Sequence, residues 1–446
     1  MMRCMIRRRL ASRAALVAAL ALAFFAGLAA DHVAAAAGRR SAQPYRPLDV
    51  FSDVLAQVEN GYVEPVEERE LVYGAIDGMM ARLDPHSVFM RPEVYRQVRE
   101  ETSGEYDGLG LELSLEGGAI VVIAPVADSP GERAGIRPGD RLLSIDGAAT
   151  KDMAVVEATR RLRGAAGTPC VLEVMRNGFT SPQKLTLVRD RIRAQSVDSR
   201  VLDRERRWAY VRIRQFQERT DRALVKALDD ARAKVGGELR GLVLDLRNDP
   251  GGLLEQAVRV ADVFLLSGVI VTTEGRDKRS VEVERAREKD TEPGYPIIVL
   301  VNRGTASASE IVAGALQDHG RALIMGTQTF GKGSVQTIVD LEDGSGLKLT
   351  VARYYTPKHR SIQELGITPD VVVPDAAPRT VAEELPAERD LKRHLRNDVA
   401  AASPAPAQAV GGAAPEDHQL RTALDYLRAA DLFKASLDAR KAPRRD

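Results

Sequence analysis

Cysteine and histidine are what this sequence most lacks. Its 446 residues hold two cysteines, Cys4 and Cys170, and six histidines. Cys4 lies in the extreme N-terminal segment, so Cys170 stands alone in the rest of the chain. That excludes a disulfide framework and any cysteine-based metal site, and Cys170 is expected to be a small buried apolar residue. His32, His86, His319, His359, His394 and His418 are scattered, so the usual proton acceptor for a hydroxyl nucleophile is scarce. Charge of one sign is missing too: 64 Lys and Arg offset 63 Asp and Glu, a net charge of +1. The balance gives no support to nucleic-acid binding or to a polybasic membrane patch. Internal repeats are absent as well.

What is present is an ordinary globular composition, 44% hydrophobic and 28% charged, in a chain long enough for two or three domains. The first residues differ from the rest. MMRCMIRRRLASR is basic, Leu16 to Ala30 is apolar, and VAAAAG is small. That order is an export signal over residues 1–37, with cleavage expected near Ala35 to Ala37. The alternative is an uncleaved anchor, because the apolar run falls only slightly short of a membrane span. Either way the working part is expected outside the cytoplasm, in the periplasm or another extracytoplasmic space.

Residues 46–102 read as a helical arm, with apolar residues at three- and four-residue spacings and a turn at Asp84-Pro85. Residues 103–190 read as short strands between glycine turns, interrupted by the helical MAVVEATRRLRG, and form a small mainly β domain. Across 191–380 apolar strand-like runs (RWAYVRIR, GLVLDLR, YPIIVLV, RALIMG) alternate with helical ones, which implies βαβ crossovers and an α/β core. Residues 381–446 then read as a charged helix after Pro386, an Ala/Pro-rich linker and a final amphipathic helix.

Three loops of the α/β region carry chemistry. GTASASE (304–310) follows one strand and opens a helix, DLRNDPGG ends at Gly252, and FGKG (330–333) follows another strand. Crossovers of this kind bring strand ends to one sheet edge, where sites gather. There a hydroxyl at a helix start could attack, a glycine-lined backbone could hold an oxyanion, and Lys332 could replace histidine as base if burial disfavours its charge. Each part has a bland reading: Ser307-x-x-Glu310 is a capping box, a lone lysine is a solvated charge, and PGG is a turn. Their joint placement favours the chemical reading. GTQTFGKG (326–333) also approaches a phosphate-binding loop, but Gly333 stands where Ser or Thr would hold magnesium, and the β-like SVQTIVDL follows where a helix is required.

With these motifs in place the sequence resembles the carboxyl-terminal processing peptidases, exported serine proteases with an inserted PDZ domain. The resemblance runs from about Asp49 to Pro374 through NDPGG, TASASEI, TFGKGSVQ and TP…RSIQ…GI-PD. It implies a ClpP/crotonase-like α/β protease core, an inserted mainly β PDZ domain and an N-terminal helical arm. It places the nucleophile at Ser307, the base at Lys332 and a lysine-holding glutamine at Gln336. The oxyanion hole would use the backbone N–H of Ala308 and of Gly251 or Gly252, and Ser309 would be structural. Gly108-Leu109-Gly110 resembles the PDZ loop that takes a peptide's C-terminal carboxylate while the peptide adds as a strand. The implied activity is endoproteolysis near C-termini, with the PDZ domain recognising the tail and gating the site. The implied partners are protein or peptide substrates with free, apolar C-termini, and neither a metal nor an organic cofactor is needed. Apolar helical arms at both ends suit a homo-oligomer, and an adaptor protein is left open. The rival is a catalytically silent PDZ adaptor, disfavoured because Ser307, Lys332 and Gln336 are all present. The sequence departs from the family near His359 and Glu364 to Leu365, where the family more often has a glycine and a small residue, so that loop's shape is expected to differ.

Overall fold

The computed structural model describes residues 46–278, 280–374, 386–398 and 417–441. The expected export segment, 1–37, and the Ala/Pro-rich stretch at 401–415 lie outside the described residues. The chain divides into a unit ending at Gly78 and a larger one from Met79 onward. The described part of the first is helical, in Arg46–Gly61 and most of Glu68–Met80. Its periodic apolar residues Leu48, Val50, Phe51 and Val54 are exposed.

The larger unit opens on the predicted Asp84-Pro85 turn. Asp84 Oδ1 accepts the N–H groups of His86 (2.8 Å) and Ser87 (3.0 Å), which is the reason an aspartate starts this turn. A two-stranded ribbon, Glu105–Gly108 against Asp190–Arg193, leads into and out of the β domain. That domain's sheet runs in the order Leu111–Glu116, Ala119–Pro125, Arg141–Ile145, Pro169–Met175, Gln183–Val188. The helix Val155–Leu162 contributes Ala158 and Leu162 to a core with Ile120, Val122, Leu142, Ile145 and Leu172. Cys170 is buried there, and desolvation pushes its thiol up to about 11.

The α/β core is a six-stranded sheet. Val197–Asp203 runs antiparallel to Trp208–Ile213, and Gly241–Asp245, Ile297–Val301, Leu323–Gly326 and Val371–Val372 follow in parallel. Every residue of Gly241–Asp245 and Ile297–Val301 is buried, because both sheet faces are covered. On one face Leu242, Leu244, Val299 and Val301 pack with residues of helices Thr220–Val235, Leu254–Asp262 and Ala308–Asp318. On the other, Val243, Ile298, Leu300 and Met325 meet Leu420, Ala423 and Leu427 of the final helix, His418–Lys441.

The charged helix expected after Pro386 is a single 3₁₀ turn, Glu388–Asp390. The side chains around it are spent on the core instead of on a helix face. Glu388 is fully buried and binds His86 Nε2 (2.7 Å) and Gln363 Nε2 (3.0 Å), and His394 Nε2 reaches Glu364 Oε1 at 2.5 Å. Tertiary bonds have outweighed helix propensity here.

Candidate active site

Four parallel strands end on one edge of the core sheet, and their loops are bonded to one another. After Gly241–Asp245 comes NDPGG, after Ile297–Val301 comes GTASASE, and after Leu323–Gly326 comes FGKG. Thr305 Oγ1 donates to Leu246 O (2.7 Å), Ala306 N–H to Asp249 O (3.0 Å) and Phe330 N–H to Thr305 O (3.0 Å). From the first of the four strands, Phe216 N–H donates to Gly251 O (2.9 Å), and Phe216 O accepts Leu253 N–H (2.7 Å).

Ser307 stands at the start of helix Ala308–Asp318 with φ 56° and ψ −115°, a left-handed setting that a serine rarely occupies. Strain of this kind persists only where the surroundings over-determine it, and it clusters at functional sites. The determining neighbour is Glu310, whose carboxylate is fully buried. Its Oε2 accepts the N–H of Ser307 (2.8 Å) and the N–H of Lys332 (3.0 Å). Its Oε1 accepts Thr329 Oγ1–H (2.5 Å) and Gly331 N–H (2.8 Å). One carboxylate thus ties the serine and lysine loops together. Burial lifts Glu310 to about 7 against the pull of these donors. The capping box legible in the sequence is therefore more than a local cap, since its glutamate also holds residues 19 to 22 positions away.

Lys332 is largely buried, and desolvation lowers it from 10.5 to about 8. The Lys348 ammonium pushes the same way, while Glu388, Glu310 and Asp84 oppose it. Gly333 N–H donates to Gln363 Oε1 (2.9 Å), which anchors the loop on the far side of the lysine. Tyr354 is buried at this point, and its hydroxyl donates to the Lys332 carbonyl. Burial raises its phenol well above the ordinary value, with the Ser307 hydroxyl acting in the opposite sense.

Gln336 lies four residues past Lys332 on strand Ser334–Asp340, and its amide nitrogen goes to Ser334 Oγ (3.0 Å) and Thr350 Oγ1 (3.2 Å). Its hydrogen bonds do not include Lys332. Ala308 N–H and Gly252 N–H donate no hydrogen bond to any described residue, whereas Gly251 N–H is taken by Asp249 Oδ1 at 2.8 Å. Gly251 nevertheless touches the nucleophile loop, since a Cβ there would lie 2.9 Å from both Ala308 N and Ser307 Cβ. Ser309 is buried and its hydroxyl donates to Asp249 O (3.2 Å).

Gly108, Leu109 and Gly110 lie far along the chain from this edge, at the entry to the β domain. Leu109 is buried, Gly110 takes φ +69°, and their carbonyls accept Gly131 N–H (2.9 Å) and Val126 N–H (2.8 Å). Among the described residues, the strand they open, Leu111–Glu116, pairs on one side only, with Ala119–Pro125.

Three family descriptions match the chain. Peptidase family S41 covers residues 207–373, a PDZ domain 121–176, and the activating protease CtpB N-terminal domain 28–94. A carboxy-terminal-processing protease of Bartonella bacilliformis is 44% identical over 355 residues, 79% of this chain and 81% of the relative. The chain belongs to the carboxyl-terminal processing peptidases of family S41. Another family member, the carboxyl-terminal-processing protease of Synechocystis, is 40% identical over 314 residues, covering 69% of this chain and 72% of that one. The carboxy-terminal processing protease CtpA of Bacillus subtilis is 36% identical over 324 residues, 72% and 68% of the two chains. This S41 peptidase is therefore a serine-type processing endopeptidase with a PDZ domain, acting on protein substrates.

The family departures have a backbone counterpart. His359 and Glu364 both take positive φ, 58° and 65°, where glycine would cost nothing. Here each side chain has a use: His359 stacks on Tyr355 at 4.6 Å, and Glu364 binds His394 and the Asn397 N–H (2.9 Å). Sequence reasoning passed over three residues at the site: Asp249, Tyr354 and the wider role of Glu310. Only Glu310 has a sequence signal, its capping-box spacing; Asp249 lies inside NDPGG, where the glycines stand out, and Tyr354 lies on strand Gly346–Tyr355, outside every motif.

Proposed function

We propose that this peptidase is exported, cleaves proteins near their C-termini by a Ser–Lys mechanism, and selects substrates through its PDZ domain. The observation that carries the reading is Glu310 Oε2, which accepts both the Ser307 and the Lys332 N–H and so links the two loops. The neutral Lys332 amine takes the Ser307 Oγ proton as Oγ attacks the scissile carbonyl. The tetrahedral oxyanion is held by N–H groups of Ala308 and the PGG turn. The resulting ammonium returns the proton to the leaving amine, and an acyl-enzyme forms. Water, giving a proton to Lys332, attacks the ester, and the ammonium returns that proton to Ser307 Oγ as it leaves, restoring the neutral amine. A lysine titrating near 8 is neutral often enough to do this at physiological pH, which one at 10.5 would not be. Gln336 acts as a positioning residue, bracing the strand that leaves Lys332 through Ser334 and Thr350.

The substrate tail would bind the free edge of Leu111–Glu116, its carboxylate received by the Gly108-Leu109-Gly110 loop, and this binding would gate cleavage. Export rests on the basic, apolar and small segments of residues 1–37. The test is cleavage of an unfolded substrate ending in apolar residues, with and without those residues. Ser307→Ala and Lys332→Ala should each abolish cleavage while leaving tail binding intact. Wild-type protein that binds the tail and never cuts would make the chain an adaptor.

A further inference from the structure

The proposed chemistry leaves Asp249, a buried acid at this edge, unused. Asp249 is fully buried, and its Oδ2 has no hydrogen-bond partner among the described residues. Its Oδ1 accepts Gly251 N–H at 2.8 Å. Its carbonyl accepts Ala306 N–H (3.0 Å) and the Ser309 hydroxyl (3.2 Å), one residue before and two after Ser307. On the other side of the turn, Phe216 N–H occupies Gly251 O at 2.9 Å. Gly251 therefore has both its amide groups committed, and Gly252 N–H is the donor left over.

We propose that Asp249 is a positioning residue for the proteolysis. By holding Gly251 N–H it turns the glycine pair so that Gly252 N–H, together with Ala308 N–H, receives the oxyanion. The side chain must accept a hydrogen bond without bringing a charge close to a developing oxyanion. Burial favours the uncharged acid, moving Asp249 to about 7 against Gly251 N–H, Ser309 and the Arg212 guanidinium. Asparagine offers the same carbonyl acceptor with no charge at any pH.

The proposal rests on Ser307 being the nucleophile, and Ser307→Ala in the same assay tests that separately. Turnover in Ser307→Ala sinks the proposed function whatever Asp249 does. With an internally quenched peptide ending in apolar residues, Asp249→Ala should lose about tenfold to a hundredfold in kcat with KM within twofold, because only transition-state binding is weakened. Asp249→Asn should lose less than threefold. Its kcat relative to wild type should rise between pH 6 and pH 9, since wild type alone gains a charge there. A folded Asp249→Ala with wild-type kcat overturns the proposal, as does an Asp249→Asn impaired as badly as Asp249→Ala. Should Asp249→Ala fail to fold, the pH series decides: a rising ratio supports the assignment, and a flat or falling one overturns it.

Discussion

The sheet edge that carries Ser307 and Lys332 and the Gly117-Gly118 hairpin of the β domain are both built on glycine turns, for different physical reasons. At the edge, glycine is required by contact. A Cβ on Gly252 would lie 2.1 Å from Phe216 O, and one on Gly333 would lie 2.4 Å from Gln363 N. In the β domain the hairpin glycines Gly117 and Gly118 have positive φ but nothing within 4 Å of a Cβ. The first region is locked by backbone touching backbone, which suits groups that must not move during a reaction. The Gly117-Gly118 hairpin is free of such contacts, whereas at the entry loop of the same domain a Cβ on Gly110 would lie 2.3 Å from Ser129 Cβ.

The largest break in that contrast should come from Glu310→Gln. The amide nitrogen would confront N–H donors that now share a carboxylate, so cleavage should fall at least about a hundredfold, since a lost charge-assisted bond costs about 1.5–3 kcal/mol and several are affected. Near-normal activity in a folded variant would remove Glu310 as the link between the loops. Gly252→Ala should come next, with activity lost by about a hundredfold and a clear drop in melting temperature. Gly117→Ala should cost only about 1 kcal/mol of stability and leave kcat unchanged. Equal damage from the two substitutions would erase the distinction between contact and torsion.

Acidity offers a third lever. Because burial depresses Lys332, its neutral form grows as pH rises through about 8, so kcat/KM should climb through that range and flatten above it. Stability rises over a higher range: the penalty for the buried lysine is full below about 8, where both states are protonated, and fades between about 8 and 10.5, where the unfolded chain holds the proton and the folded one does not. A kcat/KM profile with its rising limb above pH 10 would mean that the lysine is solvated. The smallest effect is expected from Ser309→Ala, which removes one hydrogen bond to Asp249 O and should cost about 1 kcal/mol, with most cleavage retained. Complete loss there, together with activity in Ser307→Ala, would move the nucleophile by two residues.

Much of this is legible in the sequence. Alternating strand and helix patterns pointed to a parallel sheet whose loops share an edge, and Ser307, Lys332 and NDPGG lie on loops that meet there. The charged segment after Pro386 was misread as a helix because its composition is helical, while its side chains are claimed by His86, Gln363 and Glu364. Gln336 was expected to hold the lysine, yet its bonds run to Ser334 and Thr350. Spacing alone does not say which way an amide on a strand will turn.

Local residue patterns set the chemical parts: a serine at a helix start, a lysine between glycines, a double-glycine turn, and a small β domain. They also set the order of those parts along a crossover sheet, because hydrophobic periodicity is a local property. The tertiary structure decided which of those parts can act. Glu310 reaches Lys332 across 22 residues, and Ser309 reaches Asp249 across 60. A third, Asp249 Oδ1 on Gly251 N–H, leaves Gly252 N–H without an acceptor among the described residues, and burial from many elements at once lowers Lys332. Hydrogen-bond partners and desolvation arise only when distant segments exclude water together, so no local pattern carries them.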